Sequence, residues 1–407
     1  MDHFLRTHVR MYDEERMARL CSLDIFDDMI SFLRIFLDFC GADVLLMEKF
    51  RWNFRTWLCF WVLVSFTICL IYTITYSSEN IFAIMDTLSL SGIALQGAFK
   101  RGVLIYMHGA LTRVKYYQQK YIGVRAMYIQ FCKEPDNNLA LSKCVLTITY
   151  IFRFFLLIYA AGGLAYFIIP VYMLVVHQKV TLILHLELPF VDPRQLTGYI
   201  VTTIYQGVMI ILAIAGILAA DMAIMILVLH IFGIVDIFSN KIKELDRMVD
   251  CANVNHEAVR RKVTEICIIH REIIKYEEDL DECYHTTVFI QVMSSVSCLS
   301  MALFVVYMTR DWTRVMFIGA TFFQLLEFCI LGTALTLKND QARIALYHSK
   351  WYLLSISDQQ RLKFVLHRSQ NAVEMTIGGL ALLNMETFVA IMKTIYSYFT
   401  MMITFIE

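Results

Sequence analysis

The sequence predicts an all-α membrane protein of seven transmembrane helices, inverted so that the N-terminus is cytoplasmic and the C-terminus extracellular. Three observations predict it. Of the 407 residues 58% are apolar and the mean hydropathy is +0.58, against roughly 45–50% apolar residues in soluble domains. Seven apolar runs come close to or exceed the ~20 residues that a bilayer crossing requires: 56–76, 81–99, 145–176, 199–235, 286–308, 315–337 and 375–406. The basic residues are lopsided, and loops rich in Lys and Arg stay in the cytoplasm. Segments 1–55, 100–144 and 240–285 hold eight Lys and Arg each and 338–373 holds six, while the opposite loops offer only Lys179, Arg194, Arg310 and Arg314. This orientation is the reverse of a G-protein-coupled receptor. The formal charges balance, 36 basic against 36 acidic, so nothing in them points to nucleic acid or an acidic substrate.

Taken in order, the first twenty residues are charged and lack an apolar signal core, so the first span is expected to serve as the insertion signal. Ahead of it Phe26, Met29, Ile30, Leu33, Phe36 and Leu37 recur at helical spacing among Asp24, Asp27, Asp28, Arg34 and Asp38. That is an amphipathic helix, too short and charged to cross, which lies in the inner interface or folds back into the bundle. The 81–99 run is the weakest span, since it carries Asp86 and ends in Lys100 and Arg101. The 145–176 run is long enough to project beyond the lipid or tilt. The outer loop 176–198 contains Leu188-Pro189-Phe190 and Asp192-Pro193, and prolines exclude a regular helix through it. In 240–285 charged and apolar residues alternate with helical spacing, so the spans are expected to continue into the cytoplasm.

None of the eleven cysteines falls in an outer loop, and Cys21, Cys40, Cys132, Cys251, Cys267 and Cys283 face a reducing compartment, so free thiols are expected. No CxxC or Cys/His cluster suggests a metal, and no cofactor is called for. The stretch His270, Glu272, Glu277, Glu278, Asp279, Asp281, Glu282 and His285 reads as a solvated helix face. Without HExxH, GxSxG or a phosphate-binding glycine loop, an enzyme is not expected. Asp221, Glu327, Glu386 and Lys393 lie within spans, where a charge costs ~2.5 kcal/mol or more. They keep a secondary transporter open, although no inverted repeat supports one. Glu386 and Lys393 share a helix face, and either pair or leave Lys393 to snorkel.

A resemblance covers the chain from Leu188 onward. The Leu188-Pro189-Phe190 loop, Tyr199, Tyr205 and Gln206 opening the fourth span, and Asp221 further along it resemble the insect odorant receptor family. So do Phe323, Cys329 and Gly332 ahead of Asn339-Asp340, then Tyr347 and Trp351. The end of the chain carries the most recognisable run: Arg368-Ser369-Gln370, Gly378-Gly379, Thr387-Phe388, Lys393 and Tyr396-Ser397-Tyr398-Phe399-Thr400. The resemblance implies a subunit of a tetrameric, odorant-gated, non-selective cation channel in the plasma membrane of sensory neuron dendrites. It also implies a hetero-oligomer with the odorant receptor co-receptor, because 240–285 lacks that protein's expanded loop. Gustatory receptors share the architecture, but their Thr-Tyr-based motif is not reproduced at 396–400, so they stand as the alternative.

The expected organisation is therefore a cytoplasmic segment 1–55 with its amphipathic helix, six spans over 56–337 with a ligand pocket in their outer half, and 338–407 as a cytoplasmic anchor and final pore-lining helix. In the family small volatile apolar odorants bind among the second, third, fourth and sixth spans. Tyr159, Gly162 and Tyr166 share one face of the third span, with Gly163 and Phe167 beside them. Glycine leaves volume, and tyrosine supplies an aromatic wall with one hydrogen bond. Met85, Leu88, Ser89, Tyr205, Met209 and Phe317 are the expected opposite walls. For the pore and gate the residues are Ser397, Met401 and Thr404, on similar faces of the last helix, with Glu407 at the outer end. Membrane lipid covers the rest.

Overall fold

The computed structural model describes residues 21–41, 53–76, 81–109, 114–178, 182–184, 186–192, 195–251, 255–310, 314–371 and 373–405. The helices are α1 (Ser22–Phe39), α2 (Phe54–Tyr76), α3 (Ile81–Gly109), α4 (Val114–Phe131), α5 (Pro135–His177), α6 (Leu196–Val249), α7 (His256–Thr309), α8 (Val315–Tyr347), α9 (Ile356–Ser369) and α10 (Met385–Thr404). Six of these, α2, α3, α5, α6, α7 and α8, are long and apolar enough to cross a membrane. The seventh is α10, whose 20 residues span ~30 Å at 1.5 Å per residue, the thickness of the hydrocarbon core. Lys179, Arg194, Pro193 and Glu407, invoked above, lie outside the described residues.

The amphipathic segment folds back into the bundle. Phe26, Met29, Leu33 and Leu37 are buried, each worth roughly 1.5–3 kcal/mol. Polar contacts fix its register: Asn138 Oδ1 accepts from the Ser22 N–H at 3.1 Å, and Arg125 grips Asp27 through two bonds of 2.9 Å. Phe26 stacks on Tyr128 with centroids 4.8 Å apart.

The central helices are α6 and α7, each 54 residues long, about 80 Å at helical rise. Their cytoplasmic halves continue the transmembrane rods without a break, as the alternation in 240–285 predicts. Asn255 caps α7 by accepting from the N–H groups of Glu257 and Ala258 at 3.1 Å. Lys241 holds Glu134 at 2.6 Å and Glu265 at 3.3 Å, stapling the start of α5 to both rods. By contrast α2 and α5 present Trp61, Leu157, Leu164 and Ile168 outward, the face a lipid tail covers.

Two expectations are corrected. The last apolar run is not helical from 375: 376–382 form a hairpin pairing Thr376 with Leu382 and Ile377 with Ala381. Its turn needs Gly378 and Gly379, at φ of 64° and 72°, values that disfavour a side chain. The titratable stretch on α7 is not uniformly solvated either. Glu272, Glu278 and Glu282 are exposed, but His270 and Glu277 are buried, and Asp281 accepts from the Thr376 N–H at 2.6 Å to hold the hairpin. Burial pushes Glu277 up to about 8 and His270 down to about 4. All eleven cysteines are free thiols.

Candidate functional site

The described part of the loop after α5, 182–184 and 186–192, is tied to α6 and α2 in the outer half of the bundle. Gln206, buried on α6, donates to the carbonyls of Leu184 and Leu186 at 2.9 Å and accepts from the Leu184 N–H at 3.0 Å. On the other side Thr73 Oγ1 accepts from the Glu187 N–H at 3.0 Å. Leu186 is thereby driven into a cluster with Phe66, Cys69, Leu70 and Met209. Phe190 takes a left-handed φ of 64° at the loop's tip.

The expected wall residues fall into two groups. Tyr205 and Met209 belong with the first span: the Tyr205 hydroxyl lies 2.8 Å from Ser65 Oγ, and Met209 packs in the Leu186 cluster. Tyr166 and Phe317 belong with a second cluster around Cys298 and Ala302. Leu90 touches both clusters and joins them. Phe167 lies edge-on to Gly207, where a Cβ on the glycine would stand 3.0 Å from the ring, and Gly163 is pressed by Ile214. A Cβ on Gly162 would meet nothing within 4 Å. Met85 is half-buried, Leu88 is 39% exposed, and Ser89 spends its hydroxyl on the Asp86 carbonyl at 2.6 Å. An open groove of about 600 Å³ lies elsewhere, between Phe131 and Arg261 on the cytoplasmic side, about 60 Å along α7 from Ala302.

Tyr159 sits deeper, at a polar layer that spacing alone does not reveal. Lys100 Nζ pairs with Asp221, and both side chains are almost wholly buried. Asp221 Oδ2 also accepts from Gln324 Nε2 at 3.1 Å and from the Tyr159 hydroxyl at 3.3 Å. Lys100 lies over the Phe328 ring at 5.2 Å. One helical turn outward, Gln96 Nε2 donates to Ser294 Oγ at 2.7 Å and Ser295 Oγ at 3.2 Å. Lys100, counted above among loop cations, is thus a core residue. The signal available was Asp221, a buried carboxylate that demands a partner; the sequence does not say which of many lysines supplies it. A second ion pair, half-buried Arg314 with buried Asp86, joins the start of α8 to α3 near the outer surface.

On α10, Phe388, Ile391 and Ile395 are buried against the bundle, with Phe388 meeting Phe322 at 5.6 Å. Glu386, Lys393, Ser397, Met401 and Thr404 fall on the opposite face and are exposed. No ion pair joins Glu386 and Lys393. Met385, at the start of α10, donates its N–H to Thr333 Oγ1 at 2.9 Å.

Comparison with known proteins agrees with this architecture. A sequence profile of the 7tm odorant receptor family matches residues 127–396. The protein assigned as odorant receptor 83c in Drosophila melanogaster is 21% identical over 393 residues, covering 93% of this chain and 96% of the relative. Odorant receptor Or1 of Anopheles gambiae is 25% identical over 164 residues, 38% of this chain and 39% of that one. Among solved structures, the insect olfactory receptor OR5 from Machilis hrabei in complex with eugenol superposes with a TM-score of 0.72 at 15% identity, covering 93% of this chain and 99% of that chain. A second structure of that receptor superposes with a TM-score of 0.68 at 14% identity. The seven-helix fold, the matched profile and the full-length relative lead to one conclusion: this multi-pass membrane chain belongs to the 7tm odorant receptor family, which senses odorants.

Proposed function

We propose that this chain is the odorant-tuning subunit of a ligand-gated, non-selective cation channel, and that it conducts as a hetero-oligomer with the odorant receptor co-receptor in sensory dendrites. The observation that carries the channel reading is the two-faced last helix. Phe388, Ile391 and Ile395 anchor one face, while Ser397, Met401 and Thr404 form an exposed stripe on the other. A tetramer that turns this stripe inward surrounds a path of hydroxyls interrupted by a methionine ring. Such a ring dewets when narrow and hydrates when wide, so it gates cations without a charged plug. Trp351, Tyr352, Leu353, Ile356 and Phe364 are exposed on the cytoplasmic anchor. They supply an apolar surface of the kind that obligate subunit contacts cover.

Small volatile apolar ligands bind, on this reading, between the Leu186 and Phe317 clusters, with Tyr166, Phe167, Tyr205 and Met209 as walls and the space at Gly162 as the reserve of volume. The test is current recording from cells expressing this chain with and without a co-receptor. Odorant-evoked current is expected from the pair, and Gly162→Trp should raise the half-maximal concentration at least tenfold without removing the protein from the surface. Robust evoked current from the chain alone, or dose-response curves unmoved by Gly162→Trp, would defeat the corresponding half of the proposal.

A further inference from the structure

Two thiols on the cytoplasmic side meet where α1 reaches the joint between α4 and α5. Cys21 is the residue from which α1 starts, with an extended backbone, and Cys132 opens the short turn 132–134 between α4 and α5. The two helices run antiparallel, and three contacts set their register. Arg125 holds Asp27 through two bonds of 2.9 Å, Phe26 stacks on Tyr128, and the Ser22 N–H donates to Asn138 Oδ1 at 3.1 Å. Stepping back along α1 therefore steps forward along α4, and at the end of that register the Cys21 and Cys132 side chains are in hydrogen-bond contact. Both are half-buried free thiols, open to a small solute. A disulfide needs close Cβ atoms and a backbone that can yield, and helix ends yield more readily than helix interiors. The joint beside them is firmly held: Glu134 accepts from Lys241 at 2.6 Å and from Asn137 at 2.7 Å.

We propose that Cys21 and Cys132 form a redox-active dithiol, which hydrogen peroxide closes to a disulfide that ties the start of α1 to the α4–α5 joint. One cysteine, as thiolate, attacks a peroxide oxygen; the O–O bond breaks, leaving a sulfenic acid and hydroxide. The other, as thiolate, attacks that sulfur, the S–O bond breaks and a second hydroxide departs. The hydroxides take up the two thiol protons, so two thiols and one peroxide become one disulfide and two waters. Two small thiols of the glutathione class reverse the change by exchange and are themselves oxidised to their disulfide. Burial first, and then the adjoining Cys21, raise the Cys132 thiol above its ordinary value of 9.0. It therefore rests protonated, and the reducing cytoplasm keeps the pair open until peroxide accumulates. Closure makes a covalent ring of the chain between the two residues and limits the freedom of the unfolded state. Through Lys241 it also fastens α1 to the central rod α6.

The test uses the full chain in cell membranes, treated with hydrogen peroxide or with dithiothreitol, alkylated, digested and analysed by mass spectrometry without reduction. A peptide joining Cys21 to Cys132 is expected after peroxide and not after dithiothreitol. It should be absent from Cys21→Ser and Cys132→Ser receptors and retained in Cys251→Ser, which removes an exposed thiol elsewhere. In detergent the peroxide-treated wild type should melt about 2 °C or more above the reduced protein, with no such difference in Cys21→Ser. Alkylation of both cysteines after peroxide overturns the proposal, as does their recovery as unlinked sulfinic acids or in a bond to another cysteine or another chain. A linked receptor whose melting temperature does not move overturns the fastening of α1.

Discussion

Lys100 and Asp221, 121 positions apart in the chain, close an ion pair in the interior of the helix bundle. Removing one partner strands the other charge away from water, which costs about 3–5 kcal/mol, whereas removing both is far milder. Lys100→Met alone is therefore expected to cut surface expression severely, and Lys100→Met with Asp221→Asn to recover most of it. Surface biotinylation of the two variants beside wild type decides. Equal loss in the single and double variants would mean that the pair does not carry the effect.

Glu277 gives the cytoplasmic rods a pH dependence whose sign is fixed. Burial lifts its carboxyl from 4.5 to about 8 in the folded chain, with Asn339 opposing and Glu278 adding to the rise. The folded state therefore holds the proton more tightly, and this stabilisation is full below 4.5 and drains away as pH rises toward 8. His270, lowered to about 4 from 6.5, acts only on the acid side, so the window from pH ~6.5 to ~8.5 isolates Glu277. The melting temperature of detergent-solubilised receptor should fall across that window by about 2 °C or more, and Glu277→Gln should flatten the slope.

For the pore, Met401→Ser places a hydroxyl where the proposed constriction is driest. Basal current should rise severalfold, or cation selectivity change, while odorant potency stays within about twofold of wild type. Cysteine scanning over 397–406 with a charged thiol reagent offers the independent check. Current insensitive to modification at every position places the conduction path elsewhere.

Orientation is open to a simpler measurement. A tag ahead of Met1 should be inaccessible to antibody on intact cells and a tag after Glu407 accessible, because the cytoplasmic segments hold thirty basic residues and the outer loops four. The opposite labelling pattern would reverse the topology.

Much of the fold was legible because lipid imposes a long, uniform signal. Twenty apolar residues and a skewed distribution of Lys and Arg are visible without knowing any contact, and the spacing of Phe26, Met29, Leu33 and Leu37 shows a helix with one face to bury. Less legible was anything decided by a partner distant in sequence. Gly378-Gly379 is readable as a turn, but 375–384 is as apolar as a span, so the hairpin hides in the hydropathy. Glu277 looks like its solvated neighbours Glu278 and Glu282 until α8 is seen packed against it. Of the wall residues, Tyr166 and Phe317 come together, whereas Tyr205 and Met209 turn toward the first span, a choice made by helix rotation and not by residue type. Gln206 entered the reading as a family mark; its role as the clasp of the outer loop is visible only in three dimensions.

The contact of α8 with the start of α10 has a mechanical consequence. A side chain on Gly332 would put its Cβ 1.9 Å from the Leu383 carbonyl oxygen, so these two stretches of backbone touch, and the next residue, Thr333, holds the Met385 N–H. A helix resists compression along its axis, so on the function proposed above a shift of α8 would reach the start of α10 through this joint. On that proposal α8 itself, stiff and directly joined to α10, would couple the outer half of the bundle to the last helix.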